Sequence, residues 1–446
     1  MTPEPGTSTD GTSTDSSNGT LRRRIGLVTG VVLCGGVLAL PAPEGLDAAA
    51  WKTAAVGLLM AAWWITEALP IAATALVPLV LFPLLGITDI SGAATPYANP
   101  LIFLFMGGFM IAQAMQTWKL HRRIALGIVR WVGAHPTSIV AGFILASAFL
   151  SMWVSNTATA LMMLPIGLSV IDLTEDRLQS GEIPMGGAPH FGLVLVLSIA
   201  YACNIGGMAT LIGTPPNALL AGFMSETYGV EVGFAEWLLV GLPLVVVLLP
   251  LLYVVLTRVY PIELDELPGG ARLIGEELEK LGDVSAAERR VAVVFAGTAV
   301  LWMTRPLLSG VVPGLSDAGI AIGAAFALFL LPAGTESRAL LTWEDAEALP
   351  WGVLILFGGG LSLAAQISDT GLATWIGEGV SALSGWPIAL VVLSTVALIV
   401  LLTEITSNTA TTAAFLPILG AVAIGFGSVP SLPSLPPALR PRSALI

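Results

Sequence analysis

Charged residues are scarce in this chain of 446 residues, in which Asp, Glu, Lys and Arg together make up 11%, against about 25% in soluble domains. Hydrophobic residues account for 55%, and the mean hydropathy is +0.87. This composition excludes a soluble globular domain. The few charges are mostly acidic, with a formal net charge of −12. A nucleic-acid-binding protein is disfavoured too, because it would carry clustered basic residues.

Cysteine and histidine are also rare. Cys34 and Cys203 both lie in apolar runs, so neither a disulfide framework nor a zinc-ligand spacing is present. The chain has no HExxH motif or other cluster of metal ligands, and no Ser–His pairing is evident. These absences argue against a membrane enzyme.

Long apolar segments, by contrast, are abundant. A bilayer core about 30 Å thick is crossed by roughly 20 apolar residues of helix, whereas a β-barrel would show alternating segments of about ten residues. We therefore expect an all-α polytopic membrane protein. The long apolar runs cover residues 25–41, 51–69, 71–88, 98–118, 137–171, 190–224, 237–257, 291–308, 317–332, 350–368 and 385–428.

The N-terminal segment predicts the orientation of the chain. Residues 1–20 are polar and acidic, and we expect them to be a disordered tail. The basic stretch LRRRIG opens the segment 21–50, which carries the first span. Because lysine and arginine are enriched in cytoplasmic loops, we expect a cytoplasmic N-terminus and a multi-pass protein of the inner or plasma membrane.

The pentapeptide SNTAT occurs at 155–159 and again at 407–411, 252 residues later. The same offset relates Phe105, Gly107, Gly108 and Leu120 to Phe357, Gly359, Gly360 and Leu372. Two structural repeats are therefore predicted, at 51–260 and 290–428, with a cytoplasmic linker at 261–289. The segment 119–133 is basic, whereas its match at 371–385 has no Lys or Arg. Matching segments then face opposite sides, which is typical of the inverted-topology repeats of transporters.

Each SNTAT copy is a short polar stretch inside an apolar run, and the two runs cover 137–171 and 385–421. The first run could thread as one long span or as a re-entrant hairpin with the triplet at its tip. Broken helices offer carbonyl and hydroxyl oxygens to sodium, and their N-termini attract anions. Two tips from inverted repeats would then form the halves of one binding site. The alternative role for such polar residues is hydrogen bonding between helices.

A second polar break, NIGGMATLIGTPPNALL, interrupts the run 190–224. Gly206, Gly207 and Gly213 loosen the helix, and Pro215 and Pro216 remove hydrogen-bond donors. Asn204, Thr214 and Asn217 add polar atoms. We expect a broken transmembrane helix that lines the site, with a plain turn between two helices as the alternative.

The paired SNT triplets and the GTPPNA break resemble the divalent anion/sodium symporter family, over residues 25–428. That family includes sodium-coupled succinate transporters and dicarboxylate, citrate and sulfate carriers. The resemblance implies an elevator-type transporter that forms a homodimer, in which each copy has a scaffold domain and a transport domain. It also implies that sodium ions are co-transported with a small dianionic substrate across the lipid bilayer.

Matching the family motifs residue by residue implies two sodium sites and a substrate site. The first sodium site uses Ser151, Ser155, Asn156 and Gly213, and the second uses Thr403, Thr406 and Asn408. The implied substrate contacts are Asn156, Thr157, Thr214, Asn408 and Thr409. These neutral donors suit carboxylate oxygens, with sodium supplying positive charge. The resulting prediction is a secondary active transporter that imports C4-dicarboxylates (succinate, malate, fumarate) with sodium.

One departure from the family pattern concerns the second repeat. GTPPNA begins at Gly213, 58 residues after Ser155, and the equivalent of Gly213 would fall near residue 465, beyond the end of the sequence. The expected second broken helix is missing, the second repeat is incomplete, and residues 429–446 read as a Pro- and Ser-rich tail that does not span. A truncation or a change of reading frame near residue 428 is the expectation.

Several alternatives stay open at this stage. Citrate or sulfate would suit the same neutral donors, and a sodium-independent dicarboxylate exchanger is a further alternative. Proton coupling would need titratable groups in the membrane. The candidates are Glu67, Glu404, His121, His135 and His190, for which we expect structural roles. A channel is the remaining class.

Overall fold

The computed structural model describes residues 13–133, 135–180, 188–264, 267, 269–334, 338–380, 387–404 and 406–425. Regular structure within these ranges is helical, apart from one isolated antiparallel bridge between Pro332 and Ala339. Residues 1–12 of the expected N-terminal tail and the whole of the expected C-terminal tail at 429–446 lie outside the described residues.

The helices follow the apolar runs, with breaks inside several of them. The first half of the chain forms α1 (Ser13–Ala39), α2 (Ala48–Thr66), α3 (Ile71–Thr74), α4 (Val77–Leu84), α5 (Ile90–Ala94), the 3-10 helix η1 (Thr95–Ala98), α6 (Pro100–Thr117), α7 (Leu120–Val132), α8 (Pro136–Ser151), α9 (Asn156–Gln179) and α10 (Ala188–Gly207). The second half forms α11 (Pro215–Tyr228), α12 (Phe234–Val259), α13 (Gly270–Glu279), α14 (Ala286–Leu308), α15 (Asp317–Leu330), α16 (Trp343–Glu347), α17 (Trp351–Asp369), α18 (Leu372–Val380), α19 (Ile388–Thr403) and α20 (Asn408–Gly425).

Seven helices in the described part of the chain are long and apolar enough to cross a membrane: α2, α6, α9, α10, α12, α14 and α17. Shorter apolar helices account for most of the other runs, including α8, α15, α19 and α20. The prediction of an all-α polytopic membrane protein is therefore confirmed. The helix α1, which contains the expected first span, begins at Ser13 and so includes part of the segment 1–20 that was expected to be disordered.

The chain divides into two compact units. One comprises Met1–Asn99, Phe223–Gly229 and Trp351–Pro436, and the other comprises Pro100–Gly222, Val230–Pro350 and Pro437–Ile446. Neither unit coincides with a predicted repeat. Each unit contains helices from both predicted repeats.

Two matching glycines make close helix contacts, one in each unit. In the first unit α17 packs on α3 and η1, and a Cβ atom on Gly359 would overlap the backbone of Ala75. In the second unit α6 packs on α15, and a Cβ on Gly107 would overlap the backbone of Ala321. Gly107 and Gly359 are related by the offset of 252 residues, so matching sequence positions both lie against the backbone of a neighbouring segment.

The second unit has a core built from α7 to α10. Phe143 of α8, Met163 of α9 and Phe191 of α10 are each fully buried in it. A Cβ on Gly167 of α9 would lie 3.7 Å from the Phe143 ring. Since these residues lie on opposite sides of the turn at 152–155, α8 and α9 run back along each other. The run 137–171 therefore folds as a helical hairpin, which is one of the two threadings considered from the sequence.

The basic segment 119–133 forms the amphipathic helix α7, which anchors the linker expected at 261–289. Arg122 forms a 2.7 Å ion pair with Glu277 of α13. Arg123 forms a 2.7 Å ion pair with the buried Glu288 and also donates to the carbonyl oxygen of Gly282 at 3.0 Å. These bonds tie α13 and the start of α14 to α7.

Candidate functional site

The first SNT triplet lies at the tip of the hairpin formed by α8 and α9. The helix α8 ends at Ser151, and α9 begins at Asn156. Ser155 is the N-cap of α9, where its side chain accepts a hydrogen bond of 3.4 Å from the Ala158 backbone nitrogen. A serine in this position satisfies a free donor of the first helical turn. The polar triplet therefore ends one helix and starts the next inside an apolar run.

A chain of side-chain hydrogen bonds runs across this tip. The hydroxyl of Ser151 donates to Asn156 Oδ1 at 2.7 Å, and Asn156 Nδ2 donates to Asn204 Oδ1 at 3.1 Å. Ser151 is buried, Asn156 is half-buried, and the side chains of Thr157 and Asn204 are exposed. The tip thus presents neutral oxygen and amide groups at the boundary between core and solvent.

The predicted break in the run 190–224 is confirmed. The helix α10 ends at Gly207, α11 begins at Pro215, and residues 208–214 form turns. The buried side chain of Asn217 bridges this gap, since its Nδ2 donates to the carbonyl oxygens of Gly207 at 2.9 Å and Thr210 at 2.8 Å. A buried amide that satisfies the carbonyls of a broken helix offsets the cost of breaking it.

The break packs directly against the hairpin tip. The hydroxyl of Thr210 donates a hydrogen bond to the carbonyl oxygen of Met152, within the tip turn. Gly206 lies so close to α8 that a Cβ atom on it would overlap the backbone of Ala148. Gly213 lies in the same turn, where its backbone nitrogen donates to the Thr210 carbonyl oxygen at 3.3 Å. The structure therefore brings the four residues of the predicted first sodium site, Ser151, Ser155, Asn156 and Gly213, to the hairpin tip and the adjoining break.

The second triplet lies between α19 and α20 in the other unit. As in the first copy, the second helix begins at the asparagine, here Asn408. Thr403, the match of Ser151, donates to the Val400 carbonyl oxygen at 2.9 Å. Thr406 forms a 2.6 Å hydrogen bond with Thr411. The side chain of Asn408 is exposed, and that of Thr409 is half-buried. The two copies share a backbone pattern but differ in their side-chain bonds.

Sequence reasoning missed three features of the first tip. It noted Asn204 as a polar residue of the break but not its bond to Asn156. Thr210 and Trp153 were not singled out at all. The signal for Trp153 was available, because a tryptophan stands between Ser151 and the triplet in a stretch that is otherwise aliphatic and polar. The bond from Thr210 to Met152 joins residues 58 positions apart, and no local pattern indicates it.

The titratable candidates lie outside this tip. Glu67 is the C-cap of α2, with φ of 50°, and its backbone nitrogen donates to Trp64, which is the helix-end role expected for it. Glu404 is the exposed C-cap of α19. In α7, burial lowers the pKa of His121, whose Nδ1 lies 2.9 Å from the Met115 carbonyl oxygen. The first tip is accordingly built from neutral groups.

Comparison with known proteins finds a family model and relatives that match most of the chain. The family model described as the sodium:sulfate symporter transmembrane region matches residues 21–438. The sodium-dependent dicarboxylate transporter SdcS of Staphylococcus aureus (strain USA300) is 43% identical over 429 residues, which cover 94% of this chain and 82% of the relative. The SdcS protein of the strain bovine RF122 / ET3-1 is 43% identical over 426 residues, with the same coverage of 94% and 82%.

The family match extends over both SNT triplets and the break between α10 and α11. Sodium is the co-transported ion of this family, and its members are transporters rather than enzymes. The chain therefore belongs to the sodium:sulfate symporter family.

Proposed function

We propose that this chain is a secondary active transporter that imports C4-dicarboxylates, such as succinate, malate and fumarate, together with sodium. The observation that carries this proposal is the hydrogen-bonded set of neutral groups at the first hairpin tip, in a chain 43% identical to a sodium-dependent dicarboxylate transporter. A dianion needs positive charge, and this tip has no cationic side chain among its hydrogen-bonded residues. Co-bound sodium would supply that charge.

The proposed sodium ligands are oxygen atoms at the two tips. Ser151, Ser155, Asn156 and Gly213 would hold one ion, and Thr403, Thr406 and Asn408 would hold the other. In support of the first set, Ser151 Oγ and Asn156 Oδ1 already lie 2.7 Å apart. Each of these oxygens has a lone pair left after forming that bond. Oxygens at broken helices are the usual sodium ligands of such transporters.

The proposed substrate contacts lie at three helix N-termini. Asn156 and Asn408 begin α9 and α20, and Thr214 directly precedes Pro215, which begins α11. Thr157 and Thr409 follow in the first turns. A helix N-terminus carries free backbone N–H groups and a partial positive charge, so it attracts a carboxylate. Hydroxyl and amide donors at these positions would orient the dianion without a buried cation.

The proposed mechanism adds movement to this chemistry. Sodium would bind first and order the tips, the dianion would follow, and a loaded transport domain would then cross the membrane in an elevator-type motion. The two repeats would have inverted topology, the hairpins would be re-entrant, the N-terminus would lie in the cytoplasm and the protein would act as a homodimer. The matched glycine contacts of Gly107 and Gly359 support the repeat.

Uptake of labelled succinate into proteoliposomes that contain this chain tests the proposal. With an inward sodium gradient we expect saturable uptake that disappears when choline replaces sodium. Unlabelled malate and fumarate should compete, whereas citrate and sulfate should not. Competition by sulfate alone would instead favour the substrate in the family's description. Succinate uptake that is unchanged without sodium and requires dicarboxylate inside the proteoliposomes would show an exchanger and contradict symport.

A further inference from the structure

The tip of the first hairpin is packed against aromatic rings of two other helices. Trp153 lies in the tip turn, between Ser151 and Ser155. Its ring stacks on Phe234, the first residue of α12, with centroids 6.0 Å apart and planes inclined by 23°. The Trp153 ring also forms a T-shaped contact with the ring of Phe295 of α14, with centroids 4.9 Å apart and planes inclined by 88°. Offset-stacked and edge-to-face arrangements such as these are the favoured geometries of aromatic pairs.

The packing continues beyond the tip. Phe234 stacks in turn on Trp302 of α14, with centroids 4.8 Å apart and planes inclined by 23°. Both Phe234 and Trp302 are fully buried. We call Trp153, Phe234 and Trp302 the aromatic stack. It connects the tip turn to the interior of the second unit without using any residue of the proposed sodium site.

Asp317 anchors the far end of the aromatic stack. The backbone nitrogen of Phe234 donates to Asp317 Oδ2 at 2.9 Å, and Trp302 Nε1 donates to the Asp317 carbonyl oxygen at 3.0 Å. Arg305 Nε lies 2.8 Å from Asp317 Oδ1 and forms an ion pair with this carboxylate. Asp317 therefore holds two members of the stack, from α12 and α14, at once.

This arrangement has a consequence for the tip. The backbone nitrogens of Trp153 and Val154 donate to the Leu150 carbonyl oxygen at 3.0 and 2.9 Å, and side-chain packing on α12 and α14 adds to these bonds in placing the turn. Trp153 lies two residues from Ser151 and two residues from Ser155, and its ring contacts the rings of Phe234 and Phe295. The aromatic stack therefore acts together with the bonds from Asn156 to Asn204 and from Thr210 to Met152 in placing the oxygens of the tip. A binding constellation keeps its affinity only when surrounding residues hold its ligands in place.

We propose that Trp153, Phe234 and Trp302 are positioning residues that set the sodium affinity of the first hairpin tip, with Asp317 as their anchor. This rests on the proposed sodium site. A role in stability alone would lower the melting temperature equally with and without sodium. A positioning role changes the sodium concentration at which stabilisation is half-maximal, which we call the sodium midpoint.

The test measures thermal unfolding of the purified chain in detergent over a range of sodium concentrations, with choline keeping the ionic strength constant. For Trp153→Ala we expect the sodium midpoint to rise by about tenfold or more, since ligand displacements of about 1 Å are enough for losses of that order. Trp153→Phe should stay within about threefold of wild type, because it keeps an aromatic ring in both contacts. It also removes no hydrogen bond, as Trp153 Nε1 has no partner among the described residues.

Two further variants complete the design. Trp131→Ala is the matched control, because Trp131 is 83% exposed on α7, and its sodium midpoint should equal that of wild type. Trp302→Phe keeps the ring but loses the bond to Asp317, and should raise the midpoint several-fold. If Trp153→Ala does not fold, the sodium midpoint of Trp302→Phe tests the positioning role instead.

The outcomes separate this proposal from the proposed function. A folded Trp153→Ala variant with the wild-type sodium midpoint would overturn the positioning role while leaving the sodium site intact. A wild-type sodium midpoint in Trp302→Phe would also overturn the positioning role. A wild-type chain that sodium does not stabilise would contradict the sodium site itself, before any variant is compared.

Discussion

The hydroxyl of Ser151, the last residue of α8, donates a 2.7 Å hydrogen bond to Oδ1 of Asn156, the first residue of α9. This bond links the two ends of the tip turn. Asn156 Nδ2 also donates a hydrogen bond of 3.1 Å to Asn204 Oδ1. The orientation of the asparagine is therefore defined before any ion arrives. A preformed pair of oxygens costs less to organise around a cation than two free side chains would.

Replacing Asn156 with alanine tests the shared role of this residue. Asn156→Ala removes both of its side-chain hydrogen bonds and a ligand of each proposed site, so sodium affinity and succinate affinity should both fall by about tenfold or more, since each such bond contributes about 1 kcal/mol. Sodium-dependent melting and succinate uptake measure the two losses. Ser169→Ala is the control, because among the described residues its hydroxyl bonds to the Pro165 carbonyl oxygen of its own helix. Retained sodium-dependent affinity in Asn156→Ala would count against the shared site.

A difference between the two tips leads to a second prediction. Thr406 and Thr411 are hydrogen-bonded in the second copy, but in the first copy Val154 stands in the place of Thr406. Thr159, the match of Thr411, is 2% exposed, and its hydroxyl has no partner among the described residues. The backbones agree, since Val154 and Thr406 both bond four residues back, at 2.9 and 3.0 Å.

We therefore expect Val154→Thr to stabilise the protein by about 1 kcal/mol, because it supplies the missing partner of Thr159. The reciprocal change Thr406→Val should destabilise by about 1–3 kcal/mol, since it leaves Thr411 buried and unpaired. Melting temperatures in sodium-free buffer measure both effects without the contribution of bound ions. A melting temperature that falls in Val154→Thr would show that the first tip cannot adopt the side-chain geometry of the second.

The contact between α10 and α8 leads to a third prediction. Gly206→Ala would push a methyl group into the backbone of Ala148, and such overpacking typically costs about 1–3 kcal/mol. It should also shift the break away from the tip and weaken sodium binding. Gly297→Ala in α14 is the control, because no atom lies within 4 Å of its added Cβ, and alanine favours a helix by up to about 1 kcal/mol. Equal melting temperatures for the two variants would contradict the close packing.

The ion pairs of α13 predict a dependence of stability on pH. The hydrogen bond from Lys280, followed by the charges of Lys280 and Arg122, holds the pKa of Glu277 below its ordinary value. In the unfolded chain the Glu277 carboxylate is protonated near pH 4.3. The stabilisation from the ionised Glu277 is therefore complete above that pH, and it is lost as the pH falls through the lower pKa of the folded state. Glu277→Gln should therefore melt below wild type at neutral pH, and the difference should shrink in acid.

Melting curves between about pH 3 and pH 7 follow this change across the ordinary glutamate pKa. Glu279→Gln alters an exposed acid of the same helix and serves as the control. If wild type and Glu277→Gln kept a constant difference in melting temperature over the whole range, the lowered pKa of Glu277 would not contribute to stability.

The hairpin tip and the break could be predicted because polar residues, glycines and prolines are costly in apolar runs and so stand out. The triplet at Ser155, repeated at Ser407, marked both tips, and Pro215 marked the start of α11. The choice between a long span and a hairpin for 137–171 could not be made in this way. Both threadings bury the same apolar residues, and only the packing of Phe143 near Gly167 distinguishes them.

The sequence by itself determined that the chain is helical and spans a membrane, that the pentapeptide SNTAT recurs after 252 residues, and that neutral polar groups interrupt its helices. These properties follow from composition and local order, since the bilayer imposes helices on apolar runs. The tertiary structure decided which partners the polar groups bind. Asn156 meets Asn204, Thr210 meets Met152, and Trp153 meets Phe234 because separate helices pack together. Such contacts depend on the joint packing of elements far apart in the chain, which no local pattern of residues encodes.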